Sequence, residues 1–139
     1  MKTIYILLLL IPTLAFSQSN ANTIPPGAKV YVEPNAGFET YLIAAIQKKK
    51  VDLAVVTDKA QAEFVVSSTI SKGNEPGAAA VIFLGKRNAN QDASVSIVNR
   101  GTGVVVFAYS VHKYDAVKGQ QSAAEAIAKN IKNKIKSGK

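Results

Sequence analysis

Between residues 28 and 136 the spacing of apolar side chains switches repeatedly between two and three-to-four, and that order limits the layers the chain can build. A period of two puts side chains on alternate faces of a strand. A period near 3.6 gathers them into one stripe of a helix. Residues 29–32 are a short β-rich run stopped by Pro34. Phe38, Tyr41, Leu42, Ala45 and Ile46 then fall at i, i+3, i+4, i+7 and i+8, the apolar stripe of a helix over 38–49. Glu39 in its first turn and Lys48, Lys49 and Lys50 at its end complement the helix dipole, so these lysines have a structural use before any functional one. Residues 53–57 are almost wholly apolar, which predicts a strand covered on both faces. Asp58 is placed to cap a brief turn through Ala62. Phe64, Val66 and Ile70 alternate with Val65, Ser67, Thr69 and Ser71, the pattern of a half-buried strand.

Two further alternating runs, 93–99 and 104–112, flank Arg100-Gly101-Thr102-Gly103 and read as a hairpin. In the first, Val95 and Ile97 oppose Ser94 and Ser96; in the second, Val105, Phe107, Tyr109 and Val111 share a face. The closing segment is helical. Ser122 and Glu125 have capping-box spacing, Ala124, Ile127, Ala128, Ile131 and Ile135 form the stripe, and Glu125 stands four residues before Lys129, the spacing of an ion pair. Residues 73–92 are ambiguous, since the apolar burst 78–84 suits an edge strand or a helical turn. The order β-α-β-β-(insert)-β-β-α predicts an α+β fold: one mainly antiparallel sheet with two helices packed on one face.

The start of the chain carries an address. Lys2 precedes an apolar run over 4–16, and Ala15 and Ser17 stand at the minus-three and minus-one positions of a cut before Gln18. That is the pattern of a secretory signal peptide; the run falls short of the roughly twenty residues a bilayer span needs. The expected organisation is a signal peptide over 1–17, a flexible leader over 18–27 ending in Pro25-Pro26-Gly27, and a single domain over 28–139, periplasmic or secreted. The 122 residues left after the cut are enough for one core. With no cysteine, stability rests on packing, and zinc–thiolate sites, iron–sulfur clusters, cysteine nucleophiles and a lipidated cysteine are excluded. The formal charge is +8, or +7 once Lys2 is removed, which favours anionic partners. Export argues for a lipid headgroup, another envelope polyanion or an acidic protein face over nucleic acid. Lysines that merely keep a small domain soluble are the plain alternative.

Recognisable catalytic chemistry is sparse. His112, the sole histidine, shares a strand face with Ser110, and only Asp115 is close to it in sequence, too little for a metal-ligand pattern. No two carboxylates are forced together on one element. Gly101 and Gly103 resemble the start of a dinucleotide fingerprint but lie between two strands, so they read as turn glycines. Tyr31, Phe64, Phe107 and Tyr109 could be drawn as a base-stacking platform, yet the basic-aromatic consensus of RNA-recognition domains is missing, and core positions suit them better. The burst Val81, Ile82, Phe83 and Leu84, next to Lys86 and Arg87, is a candidate partner contact; an edge strand with charged gatekeepers is the alternative. No catalytic residue, metal or cofactor is expected.

Four short stretches carry a resemblance: Lys29-Val30-Tyr31-Val32 followed by Gly37-Phe38-Glu39, then Ala62-Glu63-Phe64-Val65-Val66, the hairpin from Val98 to Ala108, and the closing-helix stretch from Ala123 to Lys129. Together they resemble small bacterial envelope domains, the class of the N-terminal domain of TolB, the penicillin-binding-protein activator LpoB and the periplasmic part of the curli secretion lipoprotein CsgG. The chain departs from that class in having Glu63 where aspartate is usual, no lipobox cysteine and no propeller domain. The resemblance implies a non-enzymatic adaptor or assembly role, and no functional residue transfers. The expectation is an exported envelope domain that binds a protein or envelope component through residues 81–87 and the basic helix ends. A polyanion or lipid-surface binder, and a hydrolase using His112, are the alternatives.

Overall fold

The computed structural model describes residues 22–72, 91–113 and 118–138. β1 (Ala28–Val32) leads into α1 (Phe38–Lys48), then β2 (Leu53–Val56), a 3-10 turn (Lys59–Gln61) and β3 (Phe64–Lys72). β4 (Gln91–Asn99), β5 (Val105–Lys113) and α2 (Gly119–Ser137) follow. The strands form one sheet in the order β2-β1-β3-β4-β5. β1 runs parallel to both of its neighbours, whereas β3–β4 and β4–β5 are antiparallel. The nine-residue strands are the antiparallel ones, so the sheet is mixed in kind and mainly antiparallel in extent. This is the α+β architecture that the periodicities predict.

Register decides which face is buried. Val66 stands opposite Ile97, and Ile97 opposite Phe107. Val30 on β1 joins them, and against this face lie Phe38, Leu42 and Ile46 of α1 with Ile127 and Ile131 of α2, all at 0 or 1% exposure. Burying each side chain of this size contributes about 1.5–3 kcal/mol, so the two helical stripes and one sheet face are the main source of stability. The opposite sheet face carries Tyr31, Ser67, Ser94, Ser96 and Ser110, half-buried or exposed.

Turn chemistry fixes the entry to α1. Asn35, Ala36, Gly37 and Phe38 form a tight turn closed by Phe38 N–H donating to the Asn35 carbonyl at 2.9 Å, with positive φ at both central residues (49° and 90°). The Glu39 carboxylate accepts from the backbone N–H groups of Asn35 (2.8 Å) and Gly37 (3.0 Å), which holds its carboxyl below the ordinary value.

The structure corrects several expectations. β2 is an edge strand with half-buried and exposed residues, not one covered on both faces. α2 starts at Gly119, so Ser122 lies inside the helix and the Ser122–Glu125 capping box is not its start; the N-cap position is Lys118, whose side chain does not cap the helix. Val105 does not join Phe107, Tyr109 and Val111: a bulge between the Ile97 and Val98 pairings turns it outward (56% exposed) and buries Val106. Ile24, in the stretch expected as a leader, is 3% exposed and packs into the core. The expected signal peptide and its cut before Gln18 lie outside the described residues. Among the described residues, no helix is long and apolar enough to cross a membrane.

Candidate functional site

Seven lysines are spread over the C-terminal end of α1 and the length of α2. Lys48, Lys49 and Lys50 end α1; Lys129, Lys132 and Lys136 recur at i, i+3 and i+7 along α2; Lys118 stands at its N-cap position. They surround two concave regions. One, of about 400 Å³, is lined by Lys49, Lys118, Gln121, Ser122, Glu125 and Lys129. The other, of about 130 Å³, is lined by Pro26, Lys50, Asp52, Lys132, Ile135 and Lys136. Only two carboxylates, Glu125 and Asp52, line these regions, so the belt carries a clear positive excess.

Three contacts set its geometry. Lys48 Nζ donates to Glu125 Oε1 at 2.7 Å, and Lys49 Nζ lies 2.9 Å from Oε2. These ammonium groups, Lys48 foremost, hold the Glu125 carboxyl down to about 2. Glu125 therefore pairs across the helix–helix contact, not with Lys129 one turn along as its spacing suggests. Lys132 Nζ donates to the Lys49 carbonyl at 2.7 Å, satisfying an acceptor that the end of α1 leaves open. Lys132 is thus partly committed to structure, while Lys48 remains 59% exposed.

Lys50 is the unusual member. α1 closes with Lys50 N–H donating to the Gln47 carbonyl and Val51 N–H to the Ile46 carbonyl, both at 3.0 Å, which is the Schellman arrangement. Its left-handed position normally holds glycine. Here Lys50 takes it, with φ 51°. A left-handed non-glycine residue costs roughly 1–2 kcal/mol. Strain of this kind is a pointer to function, and this lysine lines the second concavity.

The other polar clusters have simpler readings. His112 and Asp92 face each other across β4 and β5, Nδ1 against Oδ1, at 42% and 63% side-chain exposure. A shallow concavity beside them includes Thr69, Ser94 and Ser110. The acid nearest His112 in sequence, Asp115, lies outside the described residues. No group of three metal-ligating side chains occurs among the described residues. Glu33 accepts from Lys59 and from the Ser67 hydroxyl, and these two contacts, Lys59 first, lower its carboxyl. That cluster ties the end of β1 to the 3-10 turn and β3. The aromatic set does not form one platform: Phe64 is buried, Phe107 and Tyr109 stack at 6.4 Å on the helix-covered face, and Tyr31 lies on the other. Gly101 and Gly103 are hairpin residues, as expected. The candidate contact residues Val81, Ile82, Phe83, Leu84, Lys86 and Arg87 lie outside the described residues.

No family model matches the chain, and no curated protein matches it. Among solved structures it is similar to the PelC dodecamer from Paraburkholderia phytofirmans, with 15% identity and TM-score 0.53 over 81% of this chain and 92% of that one. It is also similar to TolB from Acinetobacter baumannii, with 8% identity and TM-score 0.54 over 85% of this chain and 30% of that one. The C-terminal domain of LpoB from Salmonella enterica is a looser likeness, at 10% identity and TM-score 0.46. By the likeness to TolB the fold is of the kind that the sequence resemblance implies. Identities this low speak for the fold alone.

Proposed function

We propose that this protein is an exported, non-enzymatic domain of the bacterial cell envelope, and that it binds an anionic envelope component through the lysine belt of α1 and α2. The observation that carries the reading is Lys50: a lysine held where the backbone favours glycine, in a concavity it shares with Lys132, Lys136 and one carboxylate, Asp52. The apolar run and small-residue cut before Gln18 support export to the periplasm or beyond. The belt is shallow and open, suited to a surface or an extended polymer more than to an enclosed small molecule.

The test is sedimentation of the mature protein with phosphatidylglycerol vesicles, phosphatidylcholine vesicles or soluble polyphosphate, at low and high salt. Binding to either anionic probe, weakening sharply with ionic strength, is the expected result. Each basic residue near an anionic surface contributes about 1 kcal/mol, so Lys49→Gln with Lys129→Gln should weaken binding by roughly thirtyfold. Equal binding to neutral vesicles, or no loss in the double variant, refutes the proposal. A hydrolase centred on His112 is the second reading, favoured by the Asp92 contact and the neighbouring Ser94 and Ser110. It has against it the exposure of both His112 and Asp92, which leaves their interaction screened by solvent.

A further inference from the structure

The two ends of the sheet are built differently. β2, at one end, has four residues and stands between Asp52 and Asp58. Short length and flanking charge are the usual protections of a sheet edge. β5, at the other end, has nine residues in the order Val-Val-Phe-Ala-Tyr-Ser-Val-His-Lys. No formal charge and no proline occurs from Val105 to Val111, and β4 is its only strand neighbour among the described residues. Val105 is one of two large apolar residues exposed among the described residues, at 56%. Phe107, Tyr109 and Val111 are only half-buried against the core.

We propose that β5 pairs with β5 of a second copy of this chain, antiparallel and centred on Tyr109, to make one continuous sheet with the helices of both copies on the same face. The register supports this partner. Antiparallel pairing about Tyr109 sets Phe107 beside Val111 of the other copy and Tyr109 beside Tyr109, all on the helix-covered face where apolar area remains to be buried. Ala108 falls beside Ser110 on the open face, where both are exposed and small. Lys113 lies beyond this central block at each end, so no like charges meet. A parallel arrangement would set Lys113 beside Lys113. The charge of +7 left once Lys2 is removed opposes association at long range. Screening that repulsion should therefore favour the dimer, opposite to the salt response of the lysine belt.

The experiment is sedimentation velocity of the mature protein from about 10 µM to about 1 mM, at low and high salt. A monomer–dimer equilibrium that tightens with salt is expected. Ala108→Lys with Ser110→Lys places like charges opposite each other in the dimer while leaving the core untouched, and should weaken it at least tenfold. Ala108→Glu with Ser110→Glu should do the same. Mixing the two double variants should restore a dimer, now favoured by low salt. Circular dichroism checks that each variant is folded. A monomer throughout the concentration range overturns the proposal. A wild-type dimer insensitive to both double variants overturns it equally. Since α2 and α1 supply the belt, failure here leaves the anion-binding proposal standing.

Discussion

Replacing Lys50 by glycine should make the protein more stable and a poorer binder. Lys50 sits at φ 51°, in the left-handed position after α1, with the Schellman hydrogen bonds from its own N–H and that of Val51 intact. Glycine adopts this conformation without the roughly 1–2 kcal/mol that a Cβ costs. Two smaller effects oppose the gain. Glycine loses more chain entropy on folding, about 0.4–1 kcal/mol, and the helix C-terminus loses one of three nearby cations, worth about 0.3 kcal/mol where Lys48 and Lys49 remain. The balance is a stabilisation of about 0.5 kcal/mol, or about 2 °C in melting temperature for a domain of this size. Thermal and urea unfolding measure it. Vesicle or polyphosphate binding of the same variant should weaken about fivefold, the effect of one lysine near an anionic surface. Lys50→Arg should keep the binding and the strain. If Lys50→Gly melts lower than the parent, the backbone argument is wrong. If it melts higher and binds equally well, strain at Lys50 has no functional meaning and the belt loses its main support.

Other outcomes follow from the same geometry. Glu125 is held near 2, below its ordinary 4.5, so its contribution to stability is complete above about pH 4.5 and lost as pH falls towards 2; Glu125→Gln should flatten the acid limb of the stability curve in that window. Glu33→Gln should flatten it in the same sense, because Lys59 and Ser67 also lower that carboxyl. Ile131→Ala removes a side chain at 0% exposure from the contact between helix and sheet, and should cost about 2–5 kcal/mol in urea unfolding; a loss under 1 kcal/mol would mean that the two-helix layer is not the core. His112→Ala breaks an exposed pair with Asp92 and should change stability by less than about 1 kcal/mol, with no loss of anion binding; disappearance of a measured hydrolase turnover in this variant would instead favour the enzymatic reading.

The helices and long strands were legible because their apolar periods survive packing: Phe38, Leu42, Ala45 and Ile46 of the α1 stripe, and Phe64, Val66 and Ile70 of β3, face the core as spaced, whereas Tyr41, at the edge of the same stripe, is turned out to 44% exposure. Position within the sheet was less legible. An apolar run such as Leu53–Val56 does not say whether a strand lies inside or at an edge, and here it is an edge. The Ser122–Glu125 pair satisfies a capping rule by spacing alone, but α2 extends four residues further back and Glu125 finds Lys48, 77 residues away. Local pattern cannot foresee a partner at that distance. The bulge that exposes Val105 likewise depends on how β4 and β5 register, not on either strand alone. As for the site, the charge of +8 and the lysines at helix ends were visible. Which of them line the two concavities, and the strained backbone at Lys50, needed the fold. Lys118 joins the belt only because α2 docks beside the end of α1, and nothing in its neighbouring sequence marks it.

The central claim is tested most directly by backbone NMR of the mature protein titrated with phosphatidylglycerol micelles or short-chain polyphosphate at low salt. The account places the largest shift changes at Lys48, Lys49 and Lys50 and along α2 at Lys129, Lys132 and Lys136, reversed by added salt. Shifts centred instead on the serine-bearing sheet face around His112, or none at all with either anion, would contradict it.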